Sequence, residues 1–362
     1  MKKVYKLPRH IRHRKTQAFK QQARRLKSNR KRKKIRRRSQ GKNRQIKEWE
    51  KARRNYVRIA APKNFSFLLQ PEKTIEFINK LEWQYERKNK VFVELENIEE
   101  LDYSAISVLV SVMFTFKSKR IKIDGSYPKK YALRAKLDDS DFFKYLRKPI
   151  GDKIDYTIGK QNQIFTKAHK EVTSELGGVV MEEASMTIWG ERRVCKGLQR
   201  TLLELMHNTN NHAHESEKGV KHWWLSVNHD KSNKKVSFAF IDYGIGIFES
   251  LKNKPSNNKW YGVIDKIKHR LLNGTNDEVL ESLLNGKLHM TATGKSYRGK
   301  GLPGIKQVQN RNQISNLHII SNNVYADVQN ETYKLLPLSF SGTFAYWELN
   351  QHNVNSEWNI KM

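Results

Sequence analysis

The pattern of apolar and polar positions between residues 62 and 150 switches repeatedly between helical and strand spacing. It predicts strands at 64–69, 90–97 and 120–126, and helices at 72–88, 103–119 and 129–146. Within the second strand, Val91, Val93 and Leu95 alternate with other residues, which predicts burial on one side only. Strands that alternate with helices predict an α/β layer with a mostly parallel sheet.

A different pattern follows the polar connector at 148–159. Residues 201–213 carry Leu202, Leu203, Leu205 and Met206 on most of a helical surface, so we expect this helix to be buried. The remaining elements predicted are a β-hairpin at 222–242, helices at 262–272 and 276–286, and closing strands at 316–321 and 340–350. The segment 163–184 mixes helix and turn signals and stays unassigned.

Positive charge is concentrated at the N-terminus. Residues 1–60 hold 26 of the 70 Lys and Arg residues and two of the 36 acids, which is +24 of a net +34. We expect a partly disordered arm with helical flanks, because like charges at this density repel one another. Such an arm suits RNA or DNA, bound through phosphates without base readout, and a solvated tail or contact with an acidic protein is the alternative.

Cys195 is the single cysteine of the 362 residues, which excludes an intramolecular disulfide and a cysteine-based metal site. No apolar run reaches the length of about 18 residues that a membrane span needs, and the N-terminus lacks the apolar core of a signal peptide. We therefore expect a cytoplasmic protein without membrane contact.

Candidate chemistry begins on the 201–213 helix. Glu204, Asn208 and His212 are four residues apart and form one polar stripe on this apolar helix. A carboxylate beside an amide suits general-base chemistry next to a bound cation. Two glycine-rich segments follow, IDYGIGI at 241–247 and GKGLPGI at 299–305. The second also fits a dinucleotide fingerprint, but the strand and the acid that this fingerprint requires are missing.

The order Glu-x-x-x-Asn, Asp-x-Gly-x-Gly and Gly-x-Gly-x-x-Gly resembles the GHKL ATPase superfamily, and the resemblance covers about residues 165–350. It implies a GHKL/Bergerat α+β two-layer sandwich that binds ATP and Mg²⁺. Glu204 would then be catalytic, and Asn208 would hold Mg²⁺ through its amide oxygen. The nucleotide would contact the following residues: Asn208, Asp242, Gly244, Gly246, Arg298, Gly299, Lys300, Gly301, Gly304 and Thr343.

In such a site Asp242 accepts the adenine amino group, and the hydroxyl of Thr343 lies near the adenine. The glycines at 299–304 present backbone N–H groups to phosphates at a helix start, where Lys300 or Arg298 supplies charge. Residues 248–298 correspond to the ATP lid of the family.

LDYSAI at 101–106 resembles the STAS domain of anti-sigma-factor antagonists, over about residues 62–150. In that family a serine at a helix N-terminus is phosphorylated, and Ser104 is at the matching position. An exposed Ser104 would suit an added phosphate, whereas Asp102 and Ser104 acting only as helix caps is the alternative.

We therefore predict four regions: a basic arm at 1–60, a STAS-like domain at 62–150, a GHKL-type domain at 160–350 and a tail at 351–362. ATP would serve an ATPase or a serine kinase in a regulatory, partner-switching role. The alternatives are a nucleic-acid-binding switch that holds ATP with little turnover, and an inactive scaffold. The resemblance also implies a regulatory protein partner for the STAS-like domain, and a homodimer.

Overall fold

The computed structural model describes residues 13–33, 54–140, 164–167, 174–212, 223–252, 274–287, 301–353 and 358–360, with the single residues Pro8, Phe142 and His269. It divides into two compact units, Met1–Tyr56 and Val57–Met362. In the first unit, residues 13–33 form helix α1, and every residue of α1 is exposed. Its ten Lys and Arg residues and lack of acids explain why it has no buried face.

The second unit begins with a layer that we call the α/β layer, residues 57–142. Strands β1 (Val57–Ala60), β3 (Val91–Glu94) and β5 (Ile123–Gly125) pair in parallel with β3 in the centre, and β2 (Asn64–Phe65) pairs in parallel with β4 (Glu100–Leu101). Helices α2 (Pro71–Glu86), α3 (Tyr103–Ser118) and α4 (Tyr131–Asp139) connect or follow these strands. The prediction of an α/β layer with a parallel sheet is confirmed.

The rest of the unit is built on a five-stranded antiparallel sheet in the order β10-β11-β9-β8-β6. Its strands are β6 (Ile164–Lys167), β8 (Trp223–Asp230), β9 (Lys235–Asp242), β10 (Ser315–Asp327) and β11 (Thr332–Asn350). The helices are α5 (Ser174–Trp189), α6 (Lys196–His212), α7 (Gly246–Lys252), α8 (Asn276–Leu284) and α9 (Gly301–Asn310). A short antiparallel pair joins β7 (Arg193–Val194) to β12 (Asn359–Ile360).

Both faces of the antiparallel sheet are buried, and each has its own core. On the helix face, Leu225, Phe238, Phe240 and Trp347 pack with the apolar sides of α5, α6, α8 and α9. On the layer face, the alternate residues of the same strands pack against the α/β layer; these are Trp224, Ala239, Ile241, Phe344 and Tyr346. A sheet covered on both faces buries nearly every residue of its central strands, as the burial of β8 and β9 shows.

Several predicted elements differ from the structure. The arm prediction extends to residue 60, but Val57–Ala60 form strand β1. The half-buried prediction for 90–97 is wrong, because Val91, Phe92 and Val93 are all buried in the central strand. Only Asn64 and Phe65 of the predicted 64–69 strand are extended. The predicted strand at 316–321 is the start of β10, whose long hairpin with β11 was missed.

The unassigned segment 163–184 contains β6 and most of α5. The predicted helix at 276–286 is confirmed as α8, whereas the one predicted at 262–272 lies outside the described residues apart from His269. In the part of the chain that the structure describes, no helix is long and apolar enough to cross a membrane.

Candidate functional site

Helix α6 holds Glu204 at the edge of the helix-face core. Leu198, Leu202, Leu205 and Met206 are buried there and fix the rotation of the helix. The Glu204 side chain is 18% exposed, and its Oε1 accepts a hydrogen bond of 3.3 Å from Nε of Arg200, one turn earlier.

The second carboxylate oxygen of Glu204, Oε2, is buried and has no hydrogen-bond partner among the described residues. Leaving a buried ionised oxygen without a donor is costly, so a water or ligand donor would be stabilised there. Asn208 and His212 follow on α6 at one-turn intervals. The side-chain surroundings of Asn208 and His212 lie outside the described residues.

Helix α9 packs beside α6. A Cβ on Gly197, near the start of α6, would lie 3.7 Å from Val308 near the end of α9. This contact joins the helix that carries Glu204 to the helix that begins in the second glycine-rich segment.

The glycine-rich helix start is shifted from the prediction. Helix α9 begins at Gly301, so Gly304 lies inside its first turn instead of at its start. Pro303 is buried in this turn, where a proline is tolerated because the missing N–H has no helical acceptor. Arg298, Gly299 and Lys300 lie outside the described residues.

Asp242 ends strand β9 and pairs in register with Thr343 of β11. Side chains alternate along β9, so Asp242 is on the same face as Phe240, which is the helix face. A Cβ on Gly244 would lie 3.2 Å and 3.3 Å from the two carboxylate oxygens of Asp242. The absence of a side chain at Gly244 therefore leaves room beside the Asp242 carboxylate.

Two further glycines are required by close backbone contacts. Gly342 has φ of +119°, and a Cβ there would lie 1.8 Å from the carbonyl oxygen of Asp242. It lies in an irregularity of β11, between the pairs Thr343–Ser321 and Phe340–Asn322. Gly246 has φ of +78°, and its Cβ would lie 2.3 Å from Oδ1 of Asn322. Any other residue would push the Asp242 segment out of place.

Ser321 and Asn322 hold this segment, and the sequence analysis missed both. Oγ of Ser321 accepts a 2.9 Å hydrogen bond from the N–H of Ile247 and lies 3.0 Å from Oγ1 of Thr343. Nδ2 of Asn322 donates to the carbonyl of Ile245 at 2.9 Å, and its Oδ1 accepts from the N–H of Phe248 at 3.3 Å. The side chains thus cap α7 from a neighbouring strand, a role that no local sequence signal indicates.

Tyr243 holds the segment 242–246 in place from the layer face of the sheet. Its hydroxyl lies 2.7 Å from Oγ of Ser111 on α3, and its ring contacts Phe340. Burial raises the pKa of Tyr243, the bond to Ser111 opposes this, and the charge of Glu82 adds to it. The hydroxyl therefore stays protonated, and the segment Asp242–Gly246 is held by both layers of the unit.

Ser104 does not have the exposure that a phosphorylation site needs. It is 1% exposed, its Oγ donates to Oδ1 of Asp102 at 2.5 Å, and it accepts from the N–H of Phe67 at 3.2 Å. Asp102 is the N-cap of α3 and accepts from the N–H of Ala105 at 2.9 Å. The expectation of an exposed Ser104 is wrong, and the capping alternative describes what this pair does.

Within the described residues, no group of three or more His, Cys, Asp and Glu side chains comes together as in a metal site. Comparison of the chain with protein-family models, with curated proteins and with solved structures gives no match.

Proposed function

We propose that the helix face of the antiparallel sheet binds Mg-ATP in a site of the GHKL type. The observation that carries the proposal is the pair Asp242–Thr343, adjacent in register beside Gly244 on the helix face. A carboxylate and a hydroxyl next to a backbone free of side chains can recognise the amino edge of adenine. The first turn of α9 suits phosphates, because backbone N–H groups there lack helical acceptors.

Each residue of the proposed site has a chemical task. Asp242 would accept a hydrogen bond from the adenine amino group, and Asn208 would hold Mg²⁺ through its amide oxygen. Glu204 would orient a water molecule or a hydroxyl group and take its proton, and its unpartnered Oε2 supports this role. Bound Mg-ATP supplies a transferable phosphoryl group.

The acceptor of that phosphoryl group is water or a serine of another protein. Ser104 is a poor acceptor, since its Oγ is buried and is already bonded to Asp102 and to the N–H of Phe67. We therefore favour an ATPase or a kinase that acts on a separate protein. A nucleotide-gated switch with little turnover remains the second candidate, which the exposed basic helix α1 favours through its suitability for RNA or DNA.

Nucleotide binding is tested with Asp242→Asn, measured by calorimetry with a non-hydrolysable ATP analogue and Mg²⁺. We expect affinity to fall about 10- to 100-fold, because a charged acceptor for the adenine amino group is lost. Asp230→Asn is the matched control, since Asp230 ends β8 at the far end of the hairpin from Asp242 and its side chain accepts hydrogen bonds from Ser232 and Asn233. Equal affinity of the wild type, Asp242→Asn and Asp230→Asn for the ATP analogue would contradict the proposed site.

Turnover is tested with γ-labelled ATP in the wild type and in Glu204→Gln. We expect label in free phosphate or on an added protein substrate, and a loss of about 100-fold or more in Glu204→Gln with ATP affinity retained. Tight binding of ATP without transfer of the label in either protein would contradict turnover and would support the nucleotide-gated switch.

A further inference from the structure

One end of the α/β layer, where its three parallel strands begin, is strongly positive. The first residues of β1, β3 and β5 are paired in register, Val57 with Val91 and Val91 with Ile123. The turn before β3 and the turn before β5 are therefore neighbours, and the N–H of Val91 donates to the carbonyl of Lys122 at 3.1 Å.

These two turns carry six exposed cations, which we call the basic end: Arg87, Lys88, Lys90, Lys119, Arg120 and Lys122. In the part of the chain that the structure describes, no carboxylate forms an ion pair with any of the six. Glu86 is the single acid in the stretches 86–90 and 117–122. Six like charges on two adjacent turns repel one another, and this repulsion calls for an explanation.

Helix ends explain only part of the charge. Cations near a helix C-terminus interact favourably with its dipole, which accounts for Arg87 after α2 and Lys119 after α3. Lys90 and Lys122 lie next to the strands, beyond the reach of that effect. Lys88 and Arg120 have φ of 55° and 57°, a left-handed conformation that favours glycine or asparagine at this position. Long cations are thus retained where a small neutral residue would be more stable.

The opposite end of the same layer is balanced. There Lys63 pairs with Glu99 at 3.0 Å. Glu94, the last residue of β3, pairs with Arg58 at 3.0 Å. Lys129 donates to the side-chain oxygen of Asn97 at 2.9 Å. Positive charge at this end is therefore accompanied by Glu94, Glu96, Glu99 and Glu100, whereas the basic end has Glu86 alone.

An exposed aromatic residue lies beside the basic end. Trp83 is 51% exposed in the last turn of α2, and the guanidinium of Arg87 lies 3.3 Å from the centre of its ring. A large apolar ring is normally buried, and here it is instead kept at the surface with a cation over one side. Aromatic rings next to Lys and Arg are the means by which proteins bind unpaired bases together with their phosphates.

We propose that the basic end binds single-stranded nucleic acid, with the six cations on its phosphates and a base stacked at Trp83. Charge complementarity selects a polyanion, and the exposed ring favours a strand whose bases are free to stack. This surface belongs to the folded unit and is separate from the arm expected at 1–60. It goes beyond the proposed ATP site and does not depend on it.

The test uses the full chain and a labelled single-stranded RNA of about 12 nucleotides. Lys90→Gln, Lys119→Gln and Lys122→Gln are combined, which leaves the left-handed positions intact. The matched control combines Lys63→Gln, Lys129→Gln and Lys130→Gln at the opposite end, with the same loss of charge. We expect the first triple variant to bind about 10-fold or more weakly and to show a salt slope reduced by about 2, and the control to change neither. Equal effects of the two triples, or no effect of either, would overturn the proposal.

Trp83→Ala distinguishes recognition of single-stranded RNA from general electrostatic attraction. We expect it to weaken RNA binding about 10-fold with an unchanged salt slope, and Trp83→Phe to restore most of the loss. Duplex RNA bound as tightly as the single strand, with no response to Trp83→Ala, would contradict a single-strand site. Polyglutamate competing as well as RNA would assign the surface to an acidic protein and overturn the proposal. ATP-analogue affinity of the triple variant should equal that of the wild type, so failure here is distinguishable from failure of the ATP site.

Discussion

The two faces of the antiparallel sheet are both buried but are covered in different ways. The helix face packs against α5, α6, α8 and α9, which belong to the same half of the chain as the sheet. The layer face packs against residues 57–142 of the α/β layer. The ring centres of Phe67 and Phe344 are 5.0 Å apart, and those of Phe114 and Trp224 are also 5.0 Å apart. Covering the second face makes residues 57–362 one compact unit.

Both faces bear on the candidate site, because its central segment, residues 242–246, contributes side chains to each of them. Asp242 lies on the helix face, whereas the next residue, Tyr243, reaches α3 on the layer side. We therefore expect a substitution on α3, in the α/β layer, to affect the position of the segment that carries Asp242. The layer is a structural support of the candidate site as well as a surface of its own.

The largest expected effect compares core residues of the two faces. Phe344→Ala on the layer face and Phe238→Ala on the helix face each remove a fully buried ring, and each should cost about 3–5 kcal/mol of unfolding free energy. We expect a single cooperative transition in urea for both variants, followed by circular dichroism. Two transitions in Phe344→Ala, with one near the wild-type midpoint, would show that the α/β layer unfolds independently.

The second prediction concerns pH and the helix face. Burial lowers the pKa of His229 from 6.5 to about 4, and the nearby Lys231 adds to the effect. Its Nδ1 lies 2.8 Å from Oγ1 of Thr187, and its buried Nε2 has no hydrogen-bond partner among the described residues. The unfolded state therefore binds more protons between pH 6.5 and 4.

Stability from His229 is complete above pH 6.5 and is lost as the pH falls towards 4, by about 3 kcal/mol. Unfolding curves from pH 7.5 to 4 should show this loss, reduced in His229→Leu. Burial also lowers the pKa of His318 on the layer face, while Asp327 and Glu348 oppose the shift. We expect the pH dependence of the unfolding free energy to change more in His229→Leu, on the helix face, than in His318→Leu, on the layer face. The opposite order would contradict this prediction.

The third prediction tests the cap that joins β10 to α7. Asn322→Ala removes two hydrogen bonds to the segment 245–248 and should cost about 1–2 kcal/mol and weaken ATP-analogue binding several-fold. Asn316→Ala is the control, because Asn316 has the same left-handed backbone, with φ of 54° against 49° for Asn322. It lies at the start of β10, away from the α7 cap. Equal losses of affinity in the two variants, measured by calorimetry, would exclude a specific role of the cap.

The smallest effect is expected from the contact across the sheet. Tyr243→Phe removes the hydrogen bond to Ser111, which still donates to Val108, so we expect a loss of about 1 kcal/mol. Affinity for the ATP analogue should fall about twofold to fivefold. Tyr325→Phe removes a layer-face hydroxyl bonded to His318 and should leave that affinity unchanged. Thermal unfolding and calorimetry of both variants would show whether support from the layer reaches the Asp242 segment.

Local patterns predicted most of the elements but not their partners. The helices at 71–86, 103–118 and 276–284 follow from apolar spacing, and the hairpin of β8 and β9 follows from alternation around a polar turn. Strand β1 was missed because Val57–Ala60 is short and follows a long basic segment, and only its pairing with β3 makes it a strand. The β10–β11 hairpin was underestimated because SNN at 321–323 looks like a turn, whereas Asn322 accepts a left-handed conformation inside the strand.

By itself the sequence determined the residue types of the candidate site and the periods of the elements that carry them. Glu204 on an apolar helix, Asp242 at the end of a strand and glycines at 244 and 246 follow from residue identity and short-range spacing. The tertiary structure decided that Thr343 pairs with Asp242, that Asn322 caps α7 and that Ser104 is buried. These facts depend on which strands pair and which faces are covered, and such contacts join residues far apart in the chain. Periodicity reports only on neighbours within a few residues.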